Sequence, residues 1–308
     1  MALHPQVEAL VAATADQKPI HEGTVEEARL GYVALGALMG PGPDLPSVTD
    51  RTIPGPAGAI PVRVYTPEGE GPFALTVFYH GGGFVIGDLD SHDRQCRVIA
   101  AEAGCVVMAV HYRLGPEHPF PAAPEDATAA LRWAAEHAAE LGADGTRLAV
   151  CGDSAGGNLS AVAAQYARNE NILLRTQVLV YPAVDASETD AYPSRVENSA
   201  GPILLEETMH WFFGHYLGDG DVDRHDARLS PLHQPLAGTA PALIITAEHD
   251  ILRDEGEAYA RALEAAGVQV ALHRYDGMPH GFFQLGGVVD DARAVVSECA
   301  AFLKNALS

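Results

Sequence analysis

The spacing of hydrophobic residues predicts helices in the first 45 positions of this 308-residue chain. Four apolar residues recur at helical spacing and share one face, namely Leu3, Val7, Leu10 and Val11. A second helix begins at Thr24-Val25-Glu26-Glu27, a capping-box pattern, and extends through Leu38 to the break at 41–43. Two amphipathic helices cannot form a core alone, so we expect them to cover the body of the protein or to roof its site.

From position 51 onward, apolar runs of strand length alternate with helical patterns. Residues 60–65 alternate between apolar and polar side chains after a Pro/Gly turn, which indicates an edge or antiparallel strand. Further strands are predicted at 74–79, 106–110, 147–151, 177–181, 242–247 and 268–275. Helices are predicted at 91–103, at 124–140 and directly after residue 154. The alternation predicts an α/β fold whose mostly parallel sheet carries helices on both faces.

Residues 186–240 interrupt this alternation, because no clear strand pattern occurs in them. A structureless loop of that length is uncommon in a compact domain, so we predict an inserted helical cap. The insertion contains an aromatic cluster of Trp211, Phe212, Phe213 and Tyr216, which either borders a substrate pocket or fills the insertion's own core. We therefore divide the chain into an N-terminal part of the cap (1–45), a first part of the core (46–185), the cap insertion (186–240) and a second part of the core (241–308).

Composition and charge limit the partners of the protein. A formal net charge of −22 argues against nucleic acids and anionic membrane surfaces, which require clustered lysine and arginine. No apolar run reaches membrane-spanning length, and the Met-Ala-Leu-His-Pro start lacks the features of a secretory signal. The four cysteines show no Cys-x-x-Cys spacing, so we interpret them as buried thiols rather than as disulfides or metal ligands. We expect a cytoplasmic protein without stable membrane association and without a metal site.

The stretch Gly152-Asp153-Ser154-Ala155-Gly156 lies between a predicted strand and a predicted helix. A Gly-x-Ser-x-Gly run in that context is typical of a nucleophile elbow, in which a sharp turn lifts the serine hydroxyl out of the sheet. Small neighbours are required because the turn forces an unusual backbone conformation. The alternative is a glycine-rich connection with an incidental serine.

A serine nucleophile needs a base and an acid that orients the base. On this fold the acid and then the histidine follow the serine, each in a loop after a strand. His280 follows the last predicted strand in a turn-rich loop, and His249 is the runner-up. Asp250 follows the strand at 242–247, with Glu248 as the fallback. We interpret Asp153 as a structural residue that forms hydrogen bonds.

An oxyanion needs N–H donors, and the run His80-Gly81-Gly82-Gly83 follows the strand at 74–79, where this fold places one half of an oxyanion hole. We predict the N–H groups of Gly82, Gly83 and Ala155 as the three donors. His80 is expected to hold the loop and to take no part in proton transfer. A phosphate-binding loop is not indicated, because no Gly-Lys-Ser/Thr follows.

Together these motifs resemble those of the bacterial hormone-sensitive-lipase-like esterases, the family IV carboxylesterases of the α/β-hydrolase superfamily. The matching stretches are 80–84, 112–126, 152–157, 181–182, 250–255 and 280–282. The resemblance implies an eight-stranded sheet, a cap built from the N-terminus and the insertion, and ester hydrolysis without a cofactor. It assigns Ser154 as nucleophile, Asp250 as acid and His280 as base, with Gly82, Gly83 and Ala155 as oxyanion donors. Ile251 and Gly115 depart from the family pattern, and Ile251 slightly loosens the assignment of the acid.

We therefore expect a serine carboxylesterase that hydrolyses short- to medium-chain esters through an acyl-enzyme. An amidase or lactonase with the same triad is the enzymatic alternative, and a non-catalytic ligand-binding homologue is the alternative from another class. The expected partner is a small-molecule ester, and the family resemblance allows a homodimer. The predicted pocket aromatics are Trp211, Phe212, Phe213, Tyr216, Phe282 and Phe283.

Overall fold

The computed structural model describes residues 2–187 and 191–308. Its strands are β1 (Ser47–Gly55), β2 (Gly58–Thr66), β3 (Phe73–Tyr79), β4 (Cys105–Val110), β5 (Ala143–Asp153), β6 (Leu174–Val180), β7 (Ala242–His249) and β8 (Val270–Pro279). Its α-helices are α1 (Pro5–Thr14), α2 (Val25–Met39), α3 (Asp93–Ala103), α4 (Ala122–His137), α5 (Ala155–Asn169), α6 (Pro193–Glu197), α7 (Glu206–Leu217), α8 (Arg253–Ala265) and α9 (Asp290–Leu307).

The eight strands form one sheet in the order β1-β2-β4-β3-β5-β6-β7-β8. β2 pairs antiparallel with both β1 and β4, and every other neighbouring pair is parallel. Because parallel strands share one direction, the carboxyl ends of β3, β5, β7 and β8 open onto the same edge. The predicted α/β-hydrolase fold is confirmed.

The edge strand β1 is the one strand that the hydrophobic pattern does not predict. Only Ile53 is buried among its nine residues, since the strand pairs on one side only and most of its side chains face solvent. The pattern predicts seven strands, and the resemblance implies the eighth.

Helices cover both faces of the sheet, as predicted. α4 and α5 contribute residues such as Leu131 and Leu159 to the core on one face, and α3 and α9 contribute Ile99 and Leu303 to the core on the other. All four cysteines are buried free thiols. Within the described residues, none of the helices combines the length and the apolar character that crossing a membrane requires.

The N-terminal helices are attached to the body near the carboxyl edge of the sheet. The capping box at the start of α2 is present, because the Glu27 amide donates to the Thr24 hydroxyl (3.1 Å) and the Thr24 amide donates to the Glu27 carboxylate (2.9 Å). Before α1, the His4 amide donates to the Gly277 carbonyl at 3.0 Å.

The insertion forms α6, α7 and a short 3₁₀ helix at Pro231–His233, with no strand in its described residues. The four-part division of the chain stays a prediction.

Candidate active site

Ser154 occupies the sharp turn between β5 and α5. Its backbone angles are φ 55° and ψ −117°, a strained conformation for a residue with a side chain. A Cβ atom on Gly156 would lie 1.9 Å from the Tyr79 carbonyl oxygen, and one on Gly152 would lie 2.4 Å from the Gly156 carbonyl oxygen. The two glycines are therefore required by the close approach of neighbouring backbone.

A hydrogen-bonded line connects Ser154 with an imidazole and a carboxylate from two other strand ends. Nε2 of His280 lies 2.9 Å from Oγ of Ser154, and Nδ1 of His280 lies 2.7 Å from Oδ2 of Asp250. Asp250 is 1% exposed, and its Oδ1 accepts a hydrogen bond of 2.9 Å from the Leu252 amide. This backbone contact holds the carboxylate in one orientation toward the imidazole.

Glu248 and His249, the alternatives for the acid and the base, contact other groups. Oε2 of Glu248 accepts a 2.7 Å hydrogen bond from the Gly277 amide in the turn that precedes His280. Nε2 of His249 lies 3.8 Å from Glu248, whereas Ser154 is contacted by His280. The geometry thus favours His280 over His249 and Asp250 over Glu248.

The glycine loop after β3 lies beside the elbow. Gly82 and Gly83 have φ values of 115° and 59°, which glycine adopts most readily. Both glycines line the same cavity as Ser154, Ala155 and His280. Because Ala155 is the first residue of α5, its N–H has no acceptor within the helix. The structure therefore brings all three predicted oxyanion donors to one cavity.

His80 and Asp153 hold this loop from behind. Nδ1 of His80 is 2.8 Å from the Gly81 carbonyl, and the Tyr112 hydroxyl donates to the His80 carbonyl at 2.7 Å. Burial lowers the pKa of His80 well below its ordinary value, with the neighbouring His92 acting in the same direction. Asp153 Oδ1 accepts a 2.9 Å hydrogen bond from the Gly81 amide. Both contacts agree with scaffold roles for these residues.

The cavity above Ser154 has a volume of about 460 Å³ and is largely apolar. One wall comes from the N-terminal region, including Leu10, Ile20 and Tyr32, and another comes from the insertion, including Leu204 and Met209. These residues were not predicted, because a wall-forming leucine carries no signal that separates it from a core leucine.

Only two of the six predicted pocket aromatics line this cavity, Phe212 and Phe213. Tyr216 is fully buried and stacks on Phe84 with 4.0 Å between ring centroids. Phe282 and Phe283 are fully buried in the core beside α9. Trp211 packs against His215 on another face of α7. These four side chains lie outside the lining of the cavity because packing against the body, or within the helix, uses their apolar surface.

Comparisons with known proteins identify the family. The family described as having the α/β-hydrolase fold matches residues 76–284. The carboxylic ester hydrolase LipN of Mycobacterium tuberculosis is 51% identical, covering 80% of this chain and 68% of that protein. This chain belongs to the α/β-hydrolase family.

Two further relatives cover more of the chain. An ethyl acetate hydrolase of Pseudomonas putida is 41% identical, covering 89% of this chain and 88% of its own. The structure of a hyperthermophilic esterase from Pyrobaculum calidifontis superimposes with a TM-score of 0.95 and 40% identity over 100% of both chains. The predicted membership in the hormone-sensitive-lipase-like esterases is confirmed. This α/β-hydrolase is therefore an enzyme of the carboxylic ester hydrolase class.

Proposed function

We propose that this α/β-hydrolase is a serine carboxylesterase in which Ser154 is the nucleophile, His280 the base and Asp250 the orienting acid. The hydrogen-bonded line from Asp250 through His280 to Ser154, at the floor of an apolar cavity, carries the proposal. A serine hydroxyl becomes nucleophilic when a neighbouring base removes its proton during attack. Asp250 holds the imidazole in the tautomer that leaves Nε2 free to accept that proton.

The first half-reaction forms an acyl-enzyme. Oγ of Ser154 attacks the ester carbonyl carbon while its proton passes to Nε2 of His280. The carbonyl oxygen becomes an oxyanion, which the N–H groups of Gly82, Gly83 and Ala155 stabilise together with the positive end of α5. The carbon–oxygen bond to the alcohol then breaks, and His280 returns the proton to the departing alkoxide.

The second half-reaction removes the acyl group. Water takes the place of the alcohol, loses a proton to His280 and attacks the acyl carbonyl, so that a second oxyanion forms in the same position. As this intermediate collapses, the bond between the acyl carbon and Oγ of Ser154 breaks and His280 gives its proton to Oγ, which releases the carboxylic acid and restores the starting enzyme. No redox step and no further reactant are needed.

The substrates we propose are esters with short- to medium-length apolar groups. An apolar cavity of about 460 Å³ favours uncharged substituents, and one relative is named for the hydrolysis of ethyl acetate. Of the six pocket aromatics predicted from the sequence, Phe212 and Phe213 line this cavity. Initial rates across p-nitrophenyl esters of increasing acyl length test the proposal, and a steady rise toward the longest chains would contradict it.

The catalytic assignment is tested by Ser154→Ala. We expect the variant to lose at least about 10³-fold in kcat on p-nitrophenyl butyrate and to resist labelling by a fluorophosphonate that labels the parent. Near-parental turnover would remove Ser154 from the mechanism. The homodimer and the cytoplasmic location stay predictions, for which sedimentation analysis and cell fractionation are the tests.

A further inference from the structure

A row of polar side chains, buried except for the half-buried Tyr32, lies behind the nucleophile and has no place in the triad. It begins at Asp153, whose Oδ1 lies 3.0 Å from Nε2 of His92, with the two side chains 3% and 1% exposed. The amide group of Gln284 lies 2.8 Å from the same imidazole nitrogen. That amide also donates to the hydroxyl of Tyr32 at 2.7 Å. The row therefore connects α2 to the residue that precedes the nucleophile.

The inner end of the row holds the oxyanion loop. Asp153 accepts the hydrogen bond from the Gly81 amide, and a Cβ atom on Gly81 would lie 2.4 Å from Oδ2 of Asp153. The carboxylate thus packs directly on the loop that presents Gly82 and Gly83. Since a run of three glycines has little intrinsic conformational preference, external contacts must determine where its N–H groups point.

The outer end of the row is anchored on α2. One turn before Tyr32, the guanidinium of Arg29 donates to the Val85 carbonyl at 3.0 Å and to the Gly115 carbonyl at 2.9 Å. Tyr32 is therefore carried by a helix that is fixed to the segment following the oxyanion loop. Gln284 lies only four residues after His280, so the row also contacts the loop that carries the base.

We propose that Gln284 and Tyr32 are positioning residues that hold His92 against the Gly81 amide and thereby keep the oxyanion donors aligned with Ser154. The proposal rests on the esterase function proposed above. Donors of an oxyanion hole must be held within about 0.5 Å of the productive position. Gln284 lies between the Tyr32 hydroxyl and His92, and Nε2 of His92 also accepts from the Gly81 amide at 3.4 Å. Contacts on both sides therefore restrict the two side chains that lie nearest the oxyanion loop.

Both residues also line the cavity, so direct contact with the substrate is the competing explanation. The two explanations differ in the step that they affect. Loss of a substrate contact changes KM, by an amount that depends on the size of the acyl group. Loss of a positioning residue lowers kcat even for the smallest acyl group and weakens the binding of a transition-state analogue by the same factor.

The test uses Tyr32→Phe, Gln284→Met and the double variant on p-nitrophenyl acetate, with active sites counted by fluorophosphonate titration. We expect kcat to fall about fivefold in Tyr32→Phe, which loses one neutral hydrogen bond, and by about tenfold or more in Gln284→Met. The double variant should match Gln284→Met, because both changes interrupt the same row. KM should stay within about twofold, and a methyl trifluoromethyl ketone should bind more weakly by the factor lost in kcat/KM.

A second buried glutamine–tyrosine pair supplies the matched control. The Gln165 amide on α5 donates to the Tyr259 hydroxyl on α8 at 3.3 Å, and both side chains are buried. Gln165→Met and Tyr259→Phe remove the same chemical groups and should leave kcat and ketone affinity unchanged per active site, whatever their effect on thermal stability.

Two results would overturn the positioning role. The first is a rise in KM with kcat and ketone affinity unchanged, which indicates substrate contact. The second is a set of row variants that lose thermal stability as the control variants do, without any loss per titrated site. Failure of the esterase function itself is distinguishable, because the parent would then neither hydrolyse the acetate nor react with the fluorophosphonate.

Discussion

Replacement of Asp250 by asparagine tests how strictly the acid determines the tautomer of His280. Oδ1 of Asp250 accepts the Leu252 amide at 2.9 Å, while Oδ2 lies 2.7 Å from Nδ1 of His280. In Asp250→Asn, the carbonyl oxygen of the new side chain must remain at the Leu252 amide, because an NH₂ group there would face another donor. The NH₂ group therefore faces His280.

This orientation predicts the size of the loss. Nδ1 of His280 must then accept a hydrogen bond, so the imidazole proton moves to Nε2, which lies 2.9 Å from Oγ of Ser154. A protonated Nε2 cannot remove the proton of the serine hydroxyl. The same change in a serine-protease triad lowers kcat by about 10⁴, which is about 5.5 kcal/mol at 1.36 kcal/mol per tenfold.

The assay is kcat on p-nitrophenyl butyrate, with the folded fraction measured by circular dichroism. Asp185→Asn is the matched control, because Asp185 is also buried and its Oδ1 lies 2.9 Å from Nε2 of His233 in the cap region. We expect the control to lose stability but to keep its turnover per folded molecule. Folded Asp250→Asn with more than about a tenth of the parental kcat would refute the tautomer argument.

Three other substitutions test packing, charge and the boundary of the cavity. Gly156→Ala should lose about 3 kcal/mol in stability, because its Cβ atom would lie 1.9 Å from the Tyr79 carbonyl oxygen, and a melting temperature within about 2 °C of the parent would contradict this. The Arg29 guanidinium lowers the pKa of Glu117 from 4.5 to about 2, so the ion pair stabilises the fold above pH 4.5 and this contribution is lost as the pH falls toward 2. Glu117→Gln should therefore lower the free energy of unfolding in urea by about 0.5–1 kcal/mol at pH 7, the range for a carboxylate that is 53% exposed. The difference between parent and variant should shrink as the pH falls, and a difference that grows in acid would contradict this. Trp211→Leu should leave the acyl-length profile unchanged, because Trp211 packs against His215 outside the cavity lining, and a moved optimum would show that Trp211 does reach the substrate.

The residues proposed for catalysis were predictable because their chemistry requires short sequence patterns. In the elbow, a Cβ atom would lie 2.4 Å from neighbouring backbone at Gly152 and 1.9 Å from it at Gly156. Because only glycine fits at both positions, the Gly-x-Ser-x-Gly pattern indicates the tight turn. The order of the parallel strands then limits the acid and the base to loops at one edge of the sheet, which selects Asp250 and His280. β1 carries no such signal, because solvent-facing strand residues show no hydrophobic period.

By itself, therefore, the sequence determined the α/β alternation, the elbow and the set of groups proposed for acyl transfer. The tertiary structure decided which face of α7 borders the cavity: Phe212 and Phe213 line it, whereas Tyr216 stacks on Phe84 in the core. It also decided that Tyr32 and Gln284, 252 positions apart, form a hydrogen bond behind the nucleophile. Local patterns report what a residue requires of its immediate neighbours, but the partner of a side chain across the molecule depends on how separate elements pack.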